Sequence, residues 1–192
     1  FYGCTGFSTL TLGKNISSIG EYAFENNKAL KSISVPNSFV SKNAFKNCDS
    51  LKSLKCAPKN CYGFDCSHCN NLTSLEGAPQ NCHNFDCNFC KSLKSLKGSP
   101  KKVSGGFDCR NCESLLSLED APEKVGESFY CNDCTSLKDL TGAPERVGGG
   151  FDCSDCKSLT SLQGAPKKVD GSFSCRKCKI KFTRGNVKKI SK

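Results

Sequence analysis

Cysteine is the residue type that could do chemistry in this chain. Of 192 residues, 17 are cysteine. Six pairs are spaced Cys-x-x-Cys, beginning with Cys66/Cys69 and Cys87/Cys90. Those first two pairs read Cys-x2-Cys-x17-Cys-x2-Cys, inside the spacing window of a four-thiolate zinc site. The same thiols could instead form disulfides, or stay reduced in a core as small hydrophobes. Only two histidines accompany them, His68 and His83. A nucleophile built from Cys66 or Cys69 with His68 would need a third residue to orient the imidazole, and the sequence suggests none. Gly148-Gly-Gly150 is not a phosphate loop, because Ser104-Gly-Gly106 and Asp170-Gly-Ser172 occupy the same place in neighbouring units. The chain therefore reads as a non-enzyme without a cofactor.

The cysteines can be judged only with the elements that must position them. A phenylalanine opens each unit at Phe64, Phe85, Phe107, Phe129, Phe151 and Phe173, first 21 residues apart and then 22. A fixed period in this range marks a solenoid, whose units bury their apolar faces only against their neighbours. The second cysteine of each unit defines a longer column: Cys4, Asn27, Cys48, Cys69, Cys90, Cys112, Cys134, Cys156 and Cys178. It implies about nine coils of 21–23 residues, stacked about 4.8 Å apart into a body about 40 Å long. Gly-Ser-Phe-x-Cys and Leu-x-x-Leu, as in Leu72-Thr-Ser-Leu75, read as two short extended segments. Gly-Ala-Pro and Val-x-Gly-Gly supply the corners. A short helical turn fits only Ile19 to Leu30.

Three comparisons within the repeat favour reduced, buried thiols. The first-cysteine column (Cys66, Cys87, Cys109, Cys131, Cys153, Cys175) continues toward the N-terminus as Phe45, Phe24 and Phe1, so the position selects for apolar volume. Cys61 and Cys82 stand where Val103, Val125, Val147 and Val169 stand later. The residues between cysteine pairs are the coil's own leucines and prolines, leaving no free loop to wrap an ion. Disulfides between stacked coils would meet a parallel pairing in which side chains point alike, and 17 is odd. A zinc-binding cysteine scaffold stays as the alternative. Reduced thiols favour the cytosol or an anaerobic setting.

The net charge of +10 is concentrated at one end. Eight cations and no acid fall in residues 175–192, which leaves +2 over the other 174. Residues 179–192 read as a basic cap or tail, and its single aromatic, Phe182, does not make a base-stacking surface. Nucleic acid is not the favoured partner. No apolar run approaches the roughly 20 residues of a membrane span. The chain contains no methionine and opens in mid-pattern at Phe1-Tyr-Gly-Cys4, as a processed chain or an excised piece would.

Ile16-Ser-Ser-Ile19-Gly-Glu-Tyr-Ala23-Phe24-Glu-Asn-Asn27-Lys-Ala-Leu30-Lys-Ser-Ile33-Ser-Val35-Pro36 resembles the leucine-rich repeat of the BspA-like type, and Ser41-Lys-Asn-Ala44-Phe45-Lys-Asn-Cys48-Asp-Ser-Leu51 repeats it. The match covers residues 1 to about 55. From residue 56 the units keep Cys-x-x-Leu-x-x-Leu but replace Ala-Phe with Phe-x-Cys. The resemblance implies a right-handed leucine-rich-repeat solenoid of the α/β horseshoe class, here mostly short strands and turns. It implies one domain over residues 1–178, usually at the surface of anaerobic bacteria or parasitic protists, that binds a protein rather than catalyses.

Two sets of exposed ladders are then the expected binding residues of a monomeric solenoid. Asp65, Asp86, Asp108 and Asp152 alternate with inward side chains, so they are expected to face solvent as an acidic strip. The other reading is that each aspartate caps backbone N–H groups in a turn. Around the second leucine run Lys52, Thr73, Lys94, Leu116 and Lys138, with Lys55, Glu76, Lys97 and Glu119 beside them. The second run alternates in sign from coil to coil, a modest surface stabilisation. By the resemblance, the segment after the first leucine lines the ligand face.

Overall fold

Inward and outward residues alternate over only a few positions in each unit before a proline or glycine turns the chain, so every strand is short. The computed structural model describes residues 1–13, 15–34, 39–40, 43–55, 57 and 60–180. Val35, Pro36 and Ser41 of the repeat pattern, Cys56, and the basic run after Ile180 lie outside the described residues. Near the N-terminus β1 (Thr9–Thr11) pairs in parallel with β3 (Ser32–Ser34), and β2 (Ser18–Ile19) with β4 (Phe39–Val40).

The remaining strands form one ten-stranded parallel sheet built as two ladders. One ladder holds β7 (Lys102–Val103), β9 (Lys124–Val125), β11 (Arg146–Val147) and β13 (Lys168–Val169). The other holds β8 (Phe107–Asp108), β10 (Phe129–Tyr130), β12 (Phe151–Asp152) and β14 (Phe173–Ser174). Two six-residue strands, β5 (Asn60–Asp65) and β6 (Asn81–Asp86), span both ladders, and β6 pairs with β7 at one end and β8 at the other. The period explains the split. Cys82 precedes Phe85 by three residues, whereas Val103 precedes Phe107 by four. The added residue falls in a three-residue corner, Ser-Gly-Gly, Gly-Glu-Ser, Gly-Gly-Gly or Asp-Gly-Ser in turn, and breaks one strand into two. A Cβ at Gly126 would overlap the carbonyl of Ser104 in the adjacent coil, and one at Gly148 would overlap Gly126, so these two middle coils need glycine at the corner.

The result is a parallel solenoid of leucine-rich-repeat type without a helix among the described residues. Counted as strand-paired turns it has about seven coils, slightly fewer than the nine read from the column. Two local expectations are corrected. Ile19 to Leu30 is a series of turns, with Tyr22 and Asn26 at φ of 59° and 62°, values a helix does not contain. From residue 51 on, Leu-x-x-Leu is not a strand and the Lys–Val pair is, whereas in the early coils the matching segment carries one, with Ile33 of Leu30-x-x-Ile33 in β3. The later leucine segment still bonds to adjacent coils, as in Leu75 N–H to the Lys97 carbonyl at 2.9 Å.

Inside run the two leucine columns, the valines, both cysteine columns and a stack of phenylalanine rings. Successive rings from Phe1 to Phe173 lie 5.2–5.7 Å apart between centroids. Such offset stacking adds to the burial of each ring.

Candidate binding faces

Most of the described cysteines pack in the core. The 16 cysteines among the described residues are free, and no three His, Cys, Asp or Glu side chains among them converge as a metal set. The second-cysteine column instead donates S–H to backbone. Cys90 Sγ lies 3.2 Å from the Cys66 carbonyl, Cys134 Sγ 3.2 Å from Cys109, and Cys156 Sγ 3.2 Å from Cys131. Asn27, in the same column, does this with its amide, 2.6 Å from the Phe1 carbonyl. Apolar volume is therefore only half of what this column supplies. Burial pushes the thiols of Cys87, Cys109 and Cys131 well above the ordinary value, so they are poor nucleophiles.

His68 is a half-buried turn residue, whereas His83, also half-buried, lies within strand β6. His68 has φ 58° and stacks on Phe89 at 4.6 Å, while His83 Nδ1 lies 3.0 Å from Ser104 Oγ and its ring packs on Tyr62 at 4.8 Å. Cys66 and Cys69, the thiols that would pair with His68, are buried.

The aspartate column does not face solvent as an open strip. Asp65 and Asp108 are buried at 7% and 9% exposure, and Asp86 and Asp152 are half-buried. Each carboxylate accepts the N–H two residues on: Ser67 to Asp65 at 2.8 Å, Asn88 to Asp86 at 2.9 Å, Arg110 to Asp108 at 3.0 Å and Ser154 to Asp152 at 2.9 Å. Period-two alternation gives the direction of a side chain leaving the strand, but the turn that follows folds back over it. Arg110 covers Asp108, with Nε 2.7 Å from Oδ2, and sits over the Tyr130 ring at 5.3 Å. Burial, then the charges of Asp65 and Asp108, push the Asp86 carboxyl up to about 7.

The leucine-segment residues do share one side of the coil. Lys52, Lys55, Thr73, Lys94, Lys97 and Lys138 are exposed and Glu76 is half-buried. Lys97 Nζ meets Glu76 Oε1 at 2.8 Å, holding the Glu76 carboxyl below the usual range. In the first column, threonine or Leu116 separates one lysine from the next. This face avoids contact between like charges.

The Lys–Val side is different, and the sequence reading passed over it. Lys102, Lys124, Arg146 and Lys168 stack in register on consecutive coils with no spacer. All four are exposed, along an open groove of about 880 Å³ floored by Val103, Val125, Gly126 and Gly148. Asp170 neutralises one end, 3.1 Å from Lys168 and 2.8 Å from Arg146, and both cations hold its carboxyl below the usual range. Among the described residues no ion pair reaches Lys102 or Lys124. The signal was available as a cation before the valine in four consecutive units, hidden because alignment on leucines treats that position as a corner.

Three comparisons place the chain among known proteins. No curated protein matches it. A solved leucine-rich repeat protein from Bacteroides ovatus is similar over 91% of this chain at 15% identity with a TM-score of 0.34, and this chain spans 64% of that one. The BspA type leucine rich repeat region matches in 6 copies over residues 1–98. That match passes residue 55 and takes in the first cysteine-rich coils, so the change of motif does not mark the end of the family's pattern. With six copies over half its length and the stacked parallel coils that such copies build, this chain belongs to the BspA-type leucine-rich-repeat family.

Proposed function

We propose that the chain is a non-catalytic protein-binding scaffold whose docking surface is the groove beside the Lys–Val ladder, and that its partner presents an extended acidic segment. The observation that supports this reading is the unspaced column of Lys102, Lys124, Arg146 and Lys168. Like charges directly opposite one another are unfavourable, and the leucine side of the same coils keeps its lysines apart. A line of carboxylates laid in the groove relieves that repulsion and steers association. The lack of any aromatic side chain among the residues lining the groove disfavours nucleic acid.

The test is fluorescence anisotropy of a glutamate-rich peptide against the full chain at two salt concentrations. Binding weakens with salt, and Lys102→Glu with Lys124→Glu lowers affinity by about tenfold or more, while Lys94→Glu changes it little. A peptide that ignores the groove variants overturns the reading. A second reading, docking on the leucine side through Lys52, Lys55, Thr73, Glu76, Lys94, Lys97 and Lys138, is favoured by one feature. Leu116 stands 59% exposed between Lys94 and Lys138 as an apolar anchor. Loss of binding in Lys94→Glu and Leu116→Asp, with the groove variants unaffected, selects that face.

A further inference from the structure

The column that supplies a buried valine to the later coils holds cysteine twice, in adjacent coils. Cys61 and Cys82 are direct partners in the parallel pairing of β5 and β6, and their Sγ atoms lie 2.7 Å apart. The other thiols that make hydrogen bonds reach backbone carbonyls at 3.1–4.0 Å. In-register neighbours sit about 4.8 Å apart, inside the Cα range of a disulfide, and a bonded S–S distance is about 2.05 Å. The general objection to bonding between parallel coils, that side chains point alike, is met here because the two sulfurs lean together. Closure needs less than about 1 Å of movement. Access is one-sided: Cys82 is 5% exposed, whereas Cys61 is half-buried.

We propose that Cys61 and Cys82 are the oxidation site of this chain, closing as a disulfide between adjacent coils by exchange with a low-molecular-weight disulfide while the other thiols stay reduced. The Cys61 thiolate attacks one sulfur of the small disulfide, whose other half leaves as a thiolate. Cys82 then loses its proton and attacks the Cys61 sulfur of the mixed disulfide, expelling the second small thiolate. Two electrons pass to the small disulfide and two protons end on the released thiols. The hydrogen bond it shares with Cys61, with burial behind it, holds the Cys82 thiol well above its ordinary value. Cys61 is therefore the attacking residue and Cys82 the resolving one. Valine at the same position in four later coils shows that packing there does not require sulfur.

The full chain is incubated with oxidised or reduced glutathione, acid-quenched, then unfolded and alkylated, and the adducts are mapped by mass spectrometry. The reduced sample carries 17 adducts; the oxidised one loses two, both from a cross-linked peptide pair containing Cys61 and Cys82. Cys82→Val, which installs the residue of the later coils, keeps the fold. It leaves Cys61 as a stable mixed disulfide with glutathione and abolishes the cross-link. Retention of all adducts under oxidised glutathione overturns the proposal, as does a cross-link at any other pair or in the Cys82→Val chain.

Discussion

The coils before residue 55 and those after residue 60 build one ring column from two different backbone positions. In the early coils the phenylalanine stands three residues before the second column residue, as Phe24 does before Asn27 and Phe45 before Cys48. In the later coils it stands five before, as Phe64 does before Cys69, and a cysteine fills the place three before. The rings nevertheless stack without a gap. Phe45 meets Phe64 at 5.7 Å, and the exchange shows only as a 39° tilt where neighbouring pairs stay within 16°. Backbone register is shared, since Phe24 N–H reaches the Ala44 carbonyl just as Cys66 N–H reaches Asp86, both at 2.9 Å. One large side chain in the early coils does the filling of a Phe–Cys pair in the later ones. A column in sequence is thus not a column in space; volume per coil is what the solenoid preserves.

The largest test removes a ring from the later coils. Phe107→Ala opens a cavity at a fully buried position between Phe85 and Phe129, and urea denaturation is expected to show a loss of about 3–5 kcal/mol. Installing the early solution where the later one already stands is the sharper test. Cys109→Phe places a second ring beside Phe107, and overpacking is expected to lower stability by about 1–3 kcal/mol. If the chain accepts it without loss, the two regions do not share a fixed volume per coil.

A third difference is electrostatic. The early coils hold Ala23 and Ala44 where the later ones hold Asp65, Asp86 and Asp108. Asp86 is raised in the folded chain to about 7, so the folded state keeps a proton that the unfolded state has released. Its contribution favours folding at acid pH and fades as pH rises through the window from about 4 to 7. The carboxyls of Glu76, Glu145, Asp155 and Asp170 are lowered instead, and act only below that window. The melting temperature is therefore expected to rise between pH 7 and pH 5. Asp86→Asn, which still accepts the Asn88 N–H, should flatten that rise. A profile unchanged by the substitution removes the aspartate column from the account.

Much of this architecture was legible in the sequence because repetition multiplies a weak signal. The leucine columns, the period and the proline corners each recur too often to be accidental, and they fix a parallel solenoid. What escaped depends on shape within one coil. Alternation placed the aspartates outward, but the tight turn after each strand returns the carboxylate to its own backbone. The added residue that converts a six-residue strand into two short ones is a single position in a period of 22. The Lys102–Lys168 ladder was written plainly in four units, yet its meaning depends on those positions pairing as strands, which Val-x-Gly-Gly does not announce.

The smallest test asks whether the shared column is apolar or polar. Asn27 donates to the Phe1 and Phe24 carbonyls at 2.6 and 2.9 Å, and its Oδ1 is buried with no partner. The later coils put a thiol there, with one weaker bond and no orphaned acceptor. Asn27→Cys exchanges one arrangement for the other, giving up an amide bond and removing an unmet oxygen. These terms nearly cancel, so the change is expected to fall within about 1 kcal/mol of the parent. Asn27→Leu keeps apolar volume but leaves both carbonyls without this donor, at a loss of about 1–3 kcal/mol. Equal losses from the two substitutions would mean that sulfur in this column only fills space. A loss confined to leucine means that the coils are tied together by a ladder of side-chain donors, with Asn27 and the cysteines as two versions of one device.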